Sequence, residues 1–259
     1  MIAEIKDIVD SFGAVTLEEM DAVKLMDRYD TKFLLNVRRV PELLKLMEKD
    51  YRVLEVNETR ISGYNTTYLD TPDFLFYNQH ITDRDGRTKV RFRKYLSTGK
   101  TFLEIKKKNR KQKTIKWRIE GNLHEGHLDN TADDFIKKHI PLNSVVLKPV
   151  IANSFKRITF VRFDIPERIT LDLDLSFSGL DGRSRELPLL AITELKSQGI
   201  AVRSPFSKLI RSLSFFPVGF SKYCTGLALL YDVPKKNILK QKILLLNRIE
   251  NEFNGVLSA

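Results

Sequence analysis

The sequence predicts an α+β protein: antiparallel strands closing into a barrel with a charged interior, and helices packed on the outside. Three observations point there. Residues 88–120 hold three consecutive runs of strict alternation, joined by turn-like segments at 96–99 and 109–113, and period two puts alternate residues on one side of a sheet. Basic residues recur at i and i+2 on strand after strand, although like charges side by side repel unless an anion lies between them. Amphipathic helical stretches flank the strands, enough to cover their apolar faces, and closure into a barrel removes the sheet edges.

Taken in order, residues 1–26 read as helical, with Ile5, Ile8, Val9 and Phe12 at helical spacing and Thr16 as a cap before Leu17, Glu18 and Glu19. The period then changes, and Arg28, Asp30 and Lys32 fall on one strand face. Pro41 opens a helix to residue 49 that carries Leu43, Leu44 and Met47. Strands follow over 51–56 and 60–69, and the turn 70–73 starts a short helix with Phe74, Phe76 and Tyr77. The three central strands set Lys89, Arg91 and Arg93 against Val90 and Phe92, then Glu104, Lys106 and Lys108 against Leu103 and Ile105. The third sets Lys116, Arg118 and Glu120 against Ile115, Trp117 and Ile119. After a helix over 131–139, a β region over 148–163 includes Arg157. Residues 168–176 set Arg168, Thr170, Asp172 and Asp174 against Ile169, Leu171, Leu173 and Leu175, and 191–196 adds Glu194 and Lys196 on a shared face. The last third is helical over 204–213, 221–230 and 234–253. With no low-complexity linker and no internal repeat, residues 1–259 read as one domain with its barrel core over about 25–230.

Composition bounds the ligand. Lys and Arg total 44 against 33 Asp and Glu, a net charge of +11, which calls for a polyanionic partner. Hydrophobic content of 42% and 30% charged residues describe an ordered, soluble chain. Cys224 stands alone, which excludes an internal disulfide and a cysteine-based zinc site. His124 and His127 read as part of a solvated turn rather than a metal site. No secretion signal opens the chain and no apolar run reaches the roughly 18–20 residues that span a bilayer; the expected location is cytoplasmic.

Inward-facing cations on every strand suit a ligand of polyphosphate size, because Arg offers forked contacts to phosphate and Lys a compact charge. The carboxylates Glu194, Asp172 and Asp174 would repel such a chain unless a divalent cation sat between, and hard oxygen ligands select Mg²⁺ or Mn²⁺. Pairing with a neighbouring Lys or Arg is the other reading of these carboxylates. Nucleic acid is disfavoured, since single-strand binders present aromatic platforms beside their basic groove. Here Trp117 lies on the apolar side and only Tyr95, at a strand edge, borders the basic faces. The C-terminal helix carries Lys235, Lys236, Lys240 and Lys242. It reads either as packing Ile238, Leu239, Ile243, Leu244 and Leu245 on the barrel or as a docking surface for a protein or an anionic membrane.

In this order the motifs Arg28-Tyr-Asp-Thr-Lys32, Tyr68-Leu-Asp-Thr-Pro-Asp73, Val90-Arg-Phe-Arg93, Leu103-Glu-Ile-Lys106, Lys116-Trp-Arg118, Arg168-Ile-Thr-Leu-Asp172, Thr193-Glu-Leu-Lys196 and Phe220-Ser-Lys-Tyr-Cys-Thr-Gly226 resemble the VTC-type polyphosphate polymerase domain, a CYTH-like branch of the triphosphate tunnel metalloenzymes. The resemblance implies a β-barrel tunnel lined by basic residues, and transfer of the γ-phosphate of ATP to a polyphosphate chain with Mn²⁺ or Mg²⁺. It implies that Arg91, Arg93, Lys106 and Lys222 act in catalysis. Arg28, Lys32, Lys89, Lys116, Arg118, Arg157, Arg168 and Lys196 join them in binding phosphate, and Glu194 binds the metal. Gly219 stands where eukaryotic members often carry a further lysine, and Arg28-x-Asp-x-Lys32 replaces the E-x-E-x-K signature of the CYTH branch. Triphosphate hydrolysis in the same tunnel, or polyphosphate binding without turnover, are the competing readings.

Overall fold

The computed structural model describes residues 1–22, 28–109, 114–123, 128–140, 147–198 and 203–251. Of the expectations above, His124, His127 and the Arg28 side chain lie outside what it describes.

Strand order follows from the alternation. The long sheet runs β2 (Arg28–Asn36), β11 (Leu190–Gln198), β9 (Glu167–Ser178), β8 (Lys148–Arg162), β4 (Ser62–Asp70), β5 (Thr88–Tyr95), β6 (Thr101–Lys108), β7 (Thr114–Glu120), each antiparallel to the next. Short strands decorate it: β10 (Ser184–Leu187) on β9, β3 (Arg52–Leu54) on β8, and β1 (Ala14–Val15) parallel to β3. The N-terminal region is therefore not one helix. Helix α1 (Ile2–Ser11) ends before β1, and α2 (Leu17–Ala22) follows, opened by reciprocal hydrogen bonds between Thr16 and Glu19.

Apolar faces turn outward and are covered by helices. Ile5 and Val9 of α1, and Leu43, Leu44 and Met47 of α3 (Val40–Met47), pack on Phe33, Phe160 and Leu195. So do Phe206 and Ile210 of α6 (Pro205–Ser212). Phe76 of α4 (Leu75–Ile81), with Ala132 and Ile136 of α5 (Asn130–His139), packs on Val90, Phe92, Leu103 and Ile105. Trp117 turns the same way and stacks on His139 of α5, ring centroids 4.5 Å apart. A third cluster lies on the inner face instead, where α7 (Lys222–Leu230) and α8 (Lys240–Asn251) pack on Leu34, Ile151, Phe177 and Ile192, which register places on the same side as Lys32, Tyr68 and Glu194. In α8 the buried residues are Leu246 and Ile249, with Ile243 and Leu245 half-buried, while Leu244 and the preceding Ile238 are exposed. Most of its apolar side is thus spent on the domain itself. No helix among the described residues is long and apolar enough to cross a membrane.

The sheet curls but does not close. Its end strands β2 and β7 are not paired with each other among the described residues. The reason lies at the β2 edge, where Val218, in the segment leading to α7, donates its backbone N–H to the Lys32 carbonyl (2.8 Å). That segment occupies a main-chain position that closure would need for a strand.

Helix α7 approaches the sheet closely at Gly226. A Cβ there would lie 2.5 Å from Cδ1 of Phe177 and 2.8 Å from Cδ1 of Ile151. Gly226→Ala is expected to destabilise the protein by about 1–3 kcal/mol, the usual cost of overpacking a core. A urea midpoint equal to that of the wild type would contradict this contact.

Candidate functional site: a basic inner face

Cross-strand register brings the inner-face charges together, because residues opposite each other in an antiparallel pair project to the same side. Arg91 faces Glu104, Lys89 faces Lys106, and Lys106 faces Lys116. Arg157 faces Asp172, and Glu194 faces Lys32 on one side and Thr170 on the other.

Three carboxylates organise this surface, Glu104 and Asp172 buried and Glu194 half-buried, and each lies between two cations. Glu104, 0% exposed, accepts Arg91 Nε and Nη2 at Oε2 (2.8 and 2.6 Å) and Lys116 Nζ at Oε1 (2.5 Å). Asp172, 3% exposed, accepts Arg157 Nε and Nη2 in a forked pair (2.6 and 2.7 Å), and Lys222 Nζ at Oδ2. Glu194 accepts Lys32 Nζ (2.6 Å), with Lys196 Nζ 4.0 Å from its other oxygen. Burial works against ionisation at all three, and the cations win. Arg91, Arg93 and Lys116 hold Glu104 well below the usual carboxylate range, Lys196 and Lys32 do the same for Glu194, and Arg157 and Lys222 bring Asp172 to about 2.

Arg93, Lys89 and Lys106 share the same face but form no ion pair with a carboxylate among the described residues. Arg93 is 8% exposed and donates to Thr66 Oγ1 (3.2 Å). Burial, with Arg91 and Arg157 beside it, lowers its guanidinium to about 10. Lys106 is pushed well below the usual lysine value by Arg91, by burial, by Arg93 and by Lys196. Lys196 stands on β11, five strands from β6 along the sheet. Its effect on Lys106, like that of Lys32 on Lys89, shows the curled sheet turning its two ends toward one interior.

The remaining expected residues fall as follows. Lys222, at the start of α7, reaches into the interior, its Nζ 4.3 Å from the Phe155 ring; burial lowers its ammonium, against the pull of Asp172. Arg118 is exposed and lies over Phe102 (4.9 Å). Arg168 is turned to α2, where Nη2 donates to the Met20 carbonyl (2.9 Å). Asp174 is not brought to Asp172: β9 is irregular there, Asp174 takes a φ of 51°, and its carboxylate pairs with Lys156 (2.9 Å). Glu194 and Asp172 do share the inner face as diagonal neighbours on β11 and β9, a spacing of about 7–8 Å. Among the described residues no three metal-binding side chains cluster, so the chain does not build a complete cage. Two carboxylates completed by phosphate oxygens are, however, a donor set that Mg²⁺ takes, and these residues fit a divalent ion held jointly with the ligand.

Several site residues went unassigned in the sequence. Tyr68, inward-facing opposite Arg91, has its phenol lowered against burial by Arg91, Arg93, Lys89 and Lys222; its place in the Tyr64, Thr66, Tyr68 alternation was the available signal. Asp70 at the end of β4 accepts the backbone N–H groups of Thr71, Phe76 and Tyr77 and the Tyr223 hydroxyl. It thereby ties α4 and α7 to the sheet beside Lys222. Lys242 of α8 brings its Nζ to 3.7 Å from where a Cβ on Gly219 would lie, so the C-terminal helix returns a cation to the position the motif leaves to glycine.

A curled antiparallel sheet with a charge-rich interior and helices on its outer face defines a protein of the tunnel type. The chain belongs to the VTC domain family, which it matches over residues 27–231. Its fold is that of the CYTH-like triphosphate tunnel proteins. A candidate adenylate cyclase from Bacillus halodurans aligns with a TM-score of 0.51 at 14% identity, covering 76% of this chain and 96% of that one. A candidate adenylate cyclase from Vibrio parahaemolyticus aligns at 0.47 and 13% identity, covering 84% and 99%. One from Hippeastrum, described as having a dominant triphosphatase activity, aligns at 0.44 and 12%, covering 80% and 98%. No curated protein matches the sequence.

Two stability tests follow from the shared carboxylates. Glu104→Gln leaves the largely covered Arg91 guanidinium without its buried counter-charge, Lys116 being exposed, and is expected to cost about 3 kcal/mol, read from the urea midpoint. Asp172, lowered in the folded state, contributes stability that is fully present above its unfolded pKa of about 3.9 and is lost as pH falls toward 2. The contribution is roughly 2–3 kcal/mol. Asp172→Asn should flatten the acid limb of a stability–pH profile, and an unchanged limb would contradict the assignment.

Proposed function

We propose that this protein is a metal-dependent phosphotransferase that lengthens polyphosphate by moving the γ-phosphoryl group of ATP onto the chain end. The observation that carries this reading is the inner-face surplus of positive charge. Arg93, Lys89 and Lys106 have no carboxylate partner among the described residues and are held at lowered pKa by burial and by neighbouring cations, Arg91 beside all three. Buried and half-buried cations in that condition are stabilised by a bound polyanion, and family membership supports a phosphate chain as that anion.

Transfer of this kind needs no side-chain nucleophile. A terminal phosphate oxygen of the acceptor chain forms the new P–O bond to the γ-phosphorus, the bond to the β,γ-bridging oxygen breaks, and ADP leaves with that electron pair. The transition state is loose and rich in charge, so positioning and electrostatics supply most of the catalysis. In this reading Arg91, Arg93 and Lys106 hold the nucleotide's phosphates. Lys222, held by the carboxylate it shares with Arg157, orients the transferred group. Lys32, Lys89, Lys116 and Lys196 line the path of the chain. Glu194, with Asp172, would hold Mn²⁺ or Mg²⁺, which when bound neutralises charge on the β- and γ-oxygens. Using ATP as donor fits a cytoplasmic protein.

Incubation with ATP and Mn²⁺ should give polyphosphate on a gel, with the rate reduced about 10²–10³-fold by Arg93→Ala and lost in Glu194→Ala. Orthophosphate release without chain growth would assign hydrolysis instead. Undiminished product from either variant would remove the proposed machinery.

A further inference from the structure

Two residues beyond Arg93 on β5, the inner face changes character. Tyr95 occupies the next inward position; opposite it on β4 stands Tyr64, opposite Tyr64 on β8 stands Phe155, and opposite Arg93 on β6 stands Phe102. These rings form a continuous row across four strands. Tyr64 stacks on Phe155 (centroids 5.2 Å, interplanar angle 4°), Tyr95 meets Tyr64 at 5.1 Å and 63°, and Tyr95 meets Phe102 at 5.7 Å and 90°. Phe155 is buried, but Tyr64, Tyr95 and Phe102 are only half-buried. Tyr95 and Phe102 belong to none of the helix-packed apolar clusters among the described residues. Phe155 and Tyr64 pack on the inner cluster beneath α7, so the half-buried Tyr95 and Phe102 are the rings of the row that add nothing to a helix-packed core.

Its inner end is joined to the phosphate clamp. The Arg93 guanidinium lies 5.6 Å from the Tyr64 ring and 5.7 Å from Phe155, and that of Arg157 lies 5.4 and 5.2 Å from the same two rings. A ligand reaching from the clamp to the row needs one end that is polyanionic and another that is flat and apolar. Along the strand, Tyr95 is about 6.7 Å from Arg93, which leaves room for a sugar between the two ends.

We propose that the row of Tyr64, Tyr95 and Phe102 is the nucleobase subsite of the tunnel, receiving the base of a nucleoside triphosphate by stacking while Arg93 takes its phosphates. This rests on the reading of ATP as donor and adds an orientation to it: the nucleoside lies at the Tyr95 end, and the phosphates point toward Lys106. Recognition is by aromatic area rather than by base edges, so adenine and guanine nucleotides bind alike.

The test compares binding of a non-hydrolysable ATP analogue with binding of tripolyphosphate, both with Mn²⁺, by calorimetry on the full chain. Tyr95→Ala is expected to weaken the nucleotide by roughly 5–150-fold, the range for loss of one base–aromatic stack. Tripolyphosphate should stay within about twofold, and Tyr95→Phe, which keeps the ring, should restore nucleotide binding. If Tyr95→Ala changes both ligands equally, or neither, the subsite is overturned while the phosphate reading stands. If the wild-type protein binds neither ligand, the ATP reading falls and the subsite with it.

Discussion

Like charges gathered inside a fold must be compensated, and that constraint shapes this protein. Taking an unpaired ion out of water is costly. The inner face meets the cost by sharing: Glu104 between Arg91 and Lys116, Asp172 between Arg157 and Lys222, Glu194 between Lys32 and Lys196. Each carboxylate fixes two long side chains that would otherwise splay, and each leaves the pair with one net positive charge. The face is thereby rigid and still basic. Arg93, Lys89 and Lys106 lie among these groups with no carboxylate of their own among the described residues, so the compensation stops short of completion where a phosphate chain would lie.

The rest of the fold serves this arrangement. Helices on the outer face let the strands bury Phe92, Leu103 and Ile105 on one side while the other stays charged. Helix α7 is drawn in by close contact at Gly226 and by the Tyr223 hydroxyl on Asp70, and this brings Lys222 to Asp172. The same segment covers part of the β2 edge, so the sheet stays open where one more strand pairing would have closed it.

How much of this was legible in the sequence depended on the range of the interaction. Alternation is local, and it fixed the inward direction of Arg91, Arg93, Lys106 and Lys116 and the outward direction of Phe92, Ile105 and Trp117. Arg157 was carried only by a loose motif, yet its forked pair with Asp172 is among the best-formed contacts of the face. Asp174 kept perfect register on paper, but a left-handed residue and a shift in pairing removed it from its neighbours, and no period reveals such an irregularity. The failure to close was hidden for a similar reason, since it is decided by Val218, far from β2 in sequence. The sequence put only Tyr95 beside the basic faces, and register corrects this by setting Tyr64 opposite it and Phe102 opposite Arg93.

The central claim is that the inner face holds a phosphate chain. A crystal structure of the protein with tripolyphosphate and Mn²⁺ bears on it most directly. The account predicts a linear anion in the interior, with oxygens on Arg93 and Lys106 and the metal bridging phosphate and Glu194. An anion bound only on the outer surface, with Arg93 and Lys106 left untouched, would contradict it.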